Sequence, residues 1–232
     1  MRLLAWNIRQ GGGSRLPRIT DALKRLDAEI LVLSECRGGE SATRLLAALD
    51  ALGYRQATTV APPPGRNGVL IAARCPFRER GAVGSGLPEP YRMVSVEFAA
   101  FRLSGIYMPN LLAKVPYWEA LITALAFESS GHALAIGDFN TCRAYVDEAG
   151  AIDATAHYMD KIERIGFCDL WRRRYPEGRE YSWFSTRGNG FRIDHAFLSH
   201  DLAARAGSIH YSHDERIAGL SDHSPLILEL AV

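Results

Sequence analysis

Short apolar runs, four to seven residues long, recur along the whole chain and constrain its fold more than any other feature. They are Arg2–Ile8, Glu29–Ser34, Val69–Ala73, Met93–Phe98, Phe101–Tyr107, Ala133–Ile136, Ser182–Ser185, Arg192–Leu198, Ser208–Tyr211 and Leu226–Leu230. Runs of this length, rich in Val, Ile, Leu and aromatic residues, read as strands. Between them Leu16–Leu26, Ser41–Leu52, a stretch from about Val115 to Glu128, and Thr155–Ile165 carry apolar residues at helical spacing. Ser14 stands where a cap for the first helix is expected, and Gly53 stops the second. Met93–Phe98 and Phe101–Tyr107 read as a hairpin. Hairpins interleaved with helices predict a four-layer α/β sandwich: two mixed, mostly antiparallel sheets packed face to face, with helices outside. Pro- and Gly-rich segments such as Ala61–Gly68 fall between strands, so a single domain spanning residues 1–232 is expected.

Charge and cysteine content narrow the function classes. The net charge is only +1, so a polyanion would have to meet a local basic surface rather than a general field. Arg172, Arg173 and Arg174, followed by Arg179, Arg187 and Arg192, are the densest candidate. Phosphate contacts and a solvated helix end are both open readings for that run. The four cysteines form no CxxC pair and no metal-finger spacing, which fits reduced thiols in a cytoplasmic protein. No apolar stretch approaches the length of a membrane span and no signal-peptide core follows Met1, so no membrane partner is expected.

The chemistry-bearing residues sit where the strands stop. Asn7 ends the first run, just before Gly11-Gly12-Gly13, and Glu35 ends the second. Asp138 and Asn140 follow Ala133–Ile136, with Gly137 expected to permit a turn. Asp194 lies inside Phe191–His195, and Asp222-His223 comes just before the last strand. A single carboxylate in such a place is ordinarily a turn or cap residue. Five such positions on adjacent strands would gather carboxylates, carboxamides and one imidazole, a cysteine-free set suited to a hard cation such as Mg²⁺ or Mn²⁺.

In order, Trp6-Asn7-Ile8, Ser34-Glu35, Tyr107-Met108-Pro109-Asn110, Gly137-Asp138-Phe139-Asn140, Arg192-Ile193-Asp194 and Ser221-Asp222-His223-Ser224-Pro225 form a series. It resembles the signature of the endonuclease/exonuclease/phosphatase superfamily. Tyr181-Ser182-Trp183-Phe184-Ser185 and the Tyr-x-Pro-Asn element look most like exonuclease III and the abasic-site endonucleases. The resemblance implies a DNase I-like fold and a Mg²⁺- or Mn²⁺-dependent phosphodiesterase acting on DNA as a monomer. Expected activity is 3′–5′ exonuclease, with abasic-site endonuclease activity in DNA repair left open. A same-fold enzyme acting on a small phosphate ester or lipid head group is the alternative.

The resemblance also implies roles. Glu35 is the main metal ligand, supported by Asn7, and Asp222 serves a second or alternative ion. Asp138, held by Asn140, orients or activates water, while His223 paired with Asp194 donates to a phosphoryl oxygen. Tyr107 and Asn110 contact the scissile phosphate; Arg9, Arg187, Trp183 and Phe191 contact substrate. Three positions depart from the repair nucleases: Ser34 replaces the usual Gln, Arg9 replaces an Asn or Asp, and the Ser185–Phe191 segment is shortened. The short segment predicts weaker discrimination for abasic sites.

Overall fold

A computed structural model describes residues 1–84, 86–128, 131–148 and 153–231. Its strands in chain order are β1 (Arg2–Asn7), β2 (Ile30–Arg37), β3 (Gln56–Thr58), β4 (Asn67–Ala73), β5 (Arg78–Ala82), β6 (Met93–Glu97) and β7 (Arg102–Tyr107). They continue with β8 (Ala133–Asp138), β9 (Phe167–Asp169), β10 (Trp183–Phe184), β11 (Gly190–Phe191), β12 (Asp194–Ser199), β13 (Ala206–Tyr211) and β14 (Leu226–Leu230). The helices are α1 (Leu16–Leu26), α2 (Glu40–Ala51), α3 (Val115–Ala126), α4 (His157–Arg164), α5 (Leu170–Arg174), α6 (His200–Ala203) and α7 (Asp214–Ile217).

Two six-stranded sheets result, ordered β13-β14-β1-β2-β4-β3 and β5-β6-β7-β8-β12-β9. The pairs β1–β2 and β7–β8 are parallel and the other pairs within these sheets antiparallel. Strand alternation shows how the layers stack. Leu3 and Ala5 of β1, with Ile30 and Val32 of β2, share one core with Leu134 and Ile136 of β8 and Ala196 and Leu198 of β12. The intervening Leu4 and Trp6 turn the other way, onto Ile19 and Leu23 of α1 and Leu45 and Leu49 of α2. On the far side Ala133 and Ala135 of β8 and Phe197 of β12 pack under Trp118 and Leu121 of α3 and Met159 and Ile162 of α4. Strands covered on both faces need apolar residues at consecutive positions, which is why these runs are unbroken in the sequence. The layers are therefore helix, sheet, sheet, helix, as expected.

Some local readings change. Ser14 does not cap α1: Gly13–Arg15 forms a 3₁₀ turn leading directly into the helix, and Arg15 takes the cap position without a side-chain bond. Pro17 in the first turn removes one donor that would otherwise need an acceptor. Helix α4 starts at His157, two residues beyond the Thr155 expected from its apolar spacing. Strand β8 does not stop at Ile136 but runs through Gly137 to Asp138. Gly137 is needed for close approach within the sheet rather than for a turn: at φ 140° an added Cβ would lie 2.2 Å from the Ile106 carbonyl oxygen. The left-handed turn comes three residues later, at Asn140, with φ 47°.

Candidate active site

Register brings the chemistry to one end of both sheets. The parallel β1–β2 pair sets Asn7 opposite Ser34, and β7–β8 sets Tyr107 opposite Asp138. Antiparallel β8–β12 places Asp138 opposite Asp194. Glu35 is not a strand-ending residue as expected but the extra residue of a bulge inside β2. Ser34 pairs with Val69 and Cys36 with Gly68, leaving Glu35 unpaired at φ 58°. That left-handed backbone and the one at Asn140 each cost on the order of 1–3 kcal/mol and persist because neighbouring bonds over-determine them.

Those bonds form a continuous chain. The Asn7 carboxamide donates to Glu35 Oε1 (3.1 Å) and Asp138 Oδ2 (2.9 Å), while its Oδ1 accepts from the Arg9 backbone N–H (2.9 Å). Asn7 thus presents its NH₂ to the two carboxylates, and its oxygen is already engaged. Glu35 Oε2 accepts from the Gln10 N–H (2.8 Å) and from Asn67 Nδ2 (3.1 Å). Asp138 Oδ1 accepts from the Asn140 N–H (2.9 Å), and Asn140 Nδ2 donates to the Met108 carbonyl (2.8 Å). His223 Nδ1 pairs with Asp194 Oδ2 at 2.8 Å, which leaves Nε2 for the cleft. Two carbonyls are clamped from the core: Trp6 Nε1 donates to His223 O (2.9 Å) and the Tyr211 hydroxyl to Asp194 O (2.6 Å).

Electrostatics follow from burial and proximity. Desolvation alone would push His223 toward neutrality, but Asp194 and then Asp138 outweigh it and raise its pKa to about 10. The ring is an imidazolium at neutral pH. Burial raises Asp138 to about 7, with Asp194 adding to the rise and His223 opposing it. Tyr107 is raised to about 12, first by burial and then by Glu35, so its hydroxyl remains a donor. The Arg92 guanidinium lies 4.5 Å above the Tyr107 ring.

Glu35, Tyr107, Asp138, Asn140 and His223 line a cleft of about 650 Å³, together with Asn110, Trp183, Phe191 and Asp222. Trp183 Nε1 is 3.3 Å from Asp222 Oδ2, and Asp222 lies 4.0 Å from the Arg9 side chain. Trp183 and Phe191 face each other across the two-stranded β10–β11 hairpin. Arg187 is exposed at the tip of that hairpin, and neither it nor Arg9 lines the cleft.

Arg172 and Arg192 of the arginine run are engaged inside the protein, while Arg173, Arg174, Arg179 and Arg187 are exposed. Arg192 is wholly buried, with Nε donating to Asp147 Oδ1 (2.8 Å) and a two-pronged pair to Asp169 (3.1 and 2.6 Å). Arg172 is turned onto Asp147 (2.7 Å) and the carbonyls of Tyr175, Pro176 and Gly178. Arg174 reaches the Ala206 carbonyl at 2.5 Å. His195, adjacent to Asp194 in sequence, is buried away from the cleft, with Nε2 2.8 Å from the Thr141 carbonyl and Nδ1 3.4 Å from Asp169.

Asn67 and Lys114 went unseen in the sequence. Asn67 opens the strand that flanks the Glu35 bulge, a relation only the pairing of Arg37 with Asn67 reveals. Lys114 is a buried lysine against the cleft. As to metal, the side chains bonded to Glu35 are the carboxamides of Asn7 and Asn67, and an oxygen-bearing set of this kind, with no thiol bonded to it, fits Mg²⁺ or Mn²⁺. Ligand atoms of Asp138, Asp194 and His223 also lie within 4.8 Å of one another. Since His223 Nδ1 is bonded to Asp194, that trio reads better as a proton-holding array than as a ligand set.

Two face-to-face sheets in a DNase I-like sandwich, with carboxylates, carboxamides and an imidazole gathered at one end, define the scaffold of a phosphoester-cleaving enzyme class. The chain belongs to the Endonuclease/Exonuclease/phosphatase family, whose model matches residues 4–223. An exodeoxyribonuclease of Streptococcus pneumoniae is 24% identical over 99% of both chains. Recombination repair protein 1 of Drosophila melanogaster is 24% identical over 98% of this chain, which spans 37% of that longer protein. Among solved structures, the 3′ phosphatase NExo from Neisseria bound to a product DNA hairpin superposes with a TM-score of 0.88 at 23% identity, covering all of both chains. An AP endonuclease from Archaeoglobus fulgidus gives 0.87 at 23% identity, also covering all of both.

Proposed function

We propose that the chain is a Mg²⁺- or Mn²⁺-dependent nuclease that hydrolyses phosphodiester bonds in DNA, working from 3′ ends, with abasic-site cleavage at most secondary. The observation that carries this reading is the unbroken chain of hydrogen bonds from Glu35 through Asn7 to Asp138, which ends beside the His223–Asp194 pair. The exodeoxyribonuclease and the DNA-bound neighbour support DNA as the substrate.

In this reading Glu35, fixed by Asn7, Asn67 and the Gln10 N–H, is the main metal ligand, and Asp222 at the rim serves a second or alternative ion. When bound, the divalent ion supplies Lewis-acid stabilisation of negative charge on the phosphate. Asp138, held by Asn7 and by the Asn140 N–H, accepts the proton of the attacking water. The His223 imidazolium donates from Nε2 to a non-bridging phosphoryl oxygen, with Asp194 fixing its ring. Tyr107 and Asn110 contact the same phosphate. Trp183 and Phe191 offer flat faces to a sugar or base, and Arg9 and Arg187 sit outward where flanking phosphates would pass.

The test is hydrolysis of three labelled duplexes, one intact, one with an abasic site and one 3′-recessed, beside bis(p-nitrophenyl) phosphate. DNA cleavage that vanishes with EDTA and returns with Mg²⁺ or Mn²⁺ is expected, as is a raised metal requirement in Glu35→Ala with little change in Tm. Turnover confined to the small ester would favour the alternative substrate class, and undiminished activity in EDTA would overturn the metal assignment.

A further inference from the structure

Lys114 lines the catalytic cleft with only 3% of its surface exposed. It ends the 3₁₀ turn Leu111–Lys114 and precedes α3. An ammonium is held out of water only where acceptors replace its hydration. Two do so here: the backbone carbonyl of Asn140, in a short hydrogen bond, and Asp153 Oδ2 at 3.0 Å. Asp153 is itself fixed by the Thr155 N–H (2.8 Å) and hydroxyl (2.6 Å). The Thr155 hydroxyl meets that of Thr141 (3.3 Å), which accepts from the Trp118 indole (3.1 Å). The ammonium is therefore braced from the helix-covered core and bonded to the catalytic turn.

That turn needs bracing. Asn140 has φ 47°, a left-handed conformation that asparagine tolerates but does not prefer. In this conformation its N–H reaches Asp138 Oδ1 (2.9 Å) and its Nδ2 reaches the Met108 carbonyl (2.8 Å). Lys114 fixes the remaining side of the residue, its carbonyl. We propose that Lys114, held by Asp153, is a positioning residue. It keeps the Asn140 turn left-handed, so that the Asn140 N–H stays on Asp138 and that carboxylate stays aimed into the cleft. The kinetic half of the inference rests on the phosphodiesterase reading above; the structural half does not.

The experiment uses the full chain with Mg²⁺, assayed in parallel on a labelled DNA duplex and on bis(p-nitrophenyl) phosphate. Lys114→Met keeps the length and removes the charge. A misplacement of about 1 Å costs on the order of 10² in rate, so its kcat should fall by about 10- to 100-fold. Its KM should stay within about threefold, because substrate contacts are untouched. Lys114→Arg should recover most of the loss, and Asp153→Asn should fall between. A crystal structure of Lys114→Met should show Asn140 at negative φ, with its N–H off Asp138. Unchanged kcat, or an effect on KM alone (the mark of a direct phosphate contact), would overturn the proposal. So would an Asn140 that stays left-handed without the ammonium. If Lys114→Met does not fold, Asp153→Asn carries the same kinetic and crystallographic outcomes. If the wild type cleaves only the ester, the DNA reading falls while the variants remain comparable on the ester; if it cleaves neither substrate, the Asn140 conformation decides.

Discussion

Replacing Arg192 by Met should be among the most damaging single changes to stability in this chain, although Arg192 sits two residues from a catalytic candidate and touches no cleft. Its guanidinium is wholly buried and makes three hydrogen bonds to Asp147 and Asp169. Arg143 and Arg172 also reach these carboxylates, but each from a partly exposed position. Methionine would leave two buried carboxylates short of their central partner. Breaking a buried pair from one side costs about 3–5 kcal/mol, and for a chain of this length that is a fall in Tm of roughly 6–20 °C. The pH dependence gives the sharper test. Burial opposes ionisation of Asp169 and Asp147, but Arg192 outweighs it and both are held below the usual carboxylate range, Asp169 well below. A depressed folded pKa contributes stability above the unfolded value, near 3.9, and that stability is lost as pH falls through the folded pKa. In Arg192→Met the same carboxylates titrate higher, so the destabilisation is greatest near pH 7 and shrinks as acid protonates them. Urea unfolding of both proteins from pH 7 to pH 4 measures this. A difference below about 1 kcal/mol at pH 7, or one that grows on acidification, would refute the reasoning.

Other outcomes bear on the site itself. His223→Ala and Asp138→Asn should each lower kcat on DNA by at least about 10²-fold, and Asp194→Ala by less, because it orients rather than reacts; near-normal kcat in His223→Ala would remove the proton-donor role. Arg187→Ala should weaken DNA binding and flatten its salt dependence, read from affinity at several ionic strengths. The β10–β11 turn is closed by Ser185 N–H to Asn189 O and Gly188 N–H to Ser185 O, so it projects little into a duplex. Preference for an abasic over an intact duplex, measured as kcat/KM, should stay under about 10³-fold, or about 4 kcal/mol.

The layers were legible because strands buried on both faces must be apolar at every position, and the carboxylates stood out because each interrupts such a run. Their order along the chain then matched a known signature. What the sequence could not show was geometry that depends on partners elsewhere. Local sequence makes Glu35 a strand end, but the bulge that holds it exists only against Val69 and Gly68. Gly137 after an apolar run suggests a turn, yet it is needed because the Ile106 carbonyl passes too close for a side chain. Density alone marks the arginine run in the sequence. Asp147 and Asp169, which absorb Arg172 and Arg192, lie in segments where nothing local marks them as partners. Lys114 escaped for the same reason: a lysine before a helix is ordinarily solvated.

Sheet order has a consequence in time as well as in space. Strand β14 inserts between β13 and β1, and the turn that leads into it carries His223. Trp6 and His223 are joined across 217 positions of chain. Contacts of such long range form late, after the loop-closure cost has been met. A growing chain can therefore display Asn7, Glu35, Asp138 and Asp194 well before it possesses an imidazole to pair with them. Hydrolysis becomes available only when the last strand docks beside the first, so the onset of activity during refolding should follow the closure of that sheet and lag behind the collapse of the core.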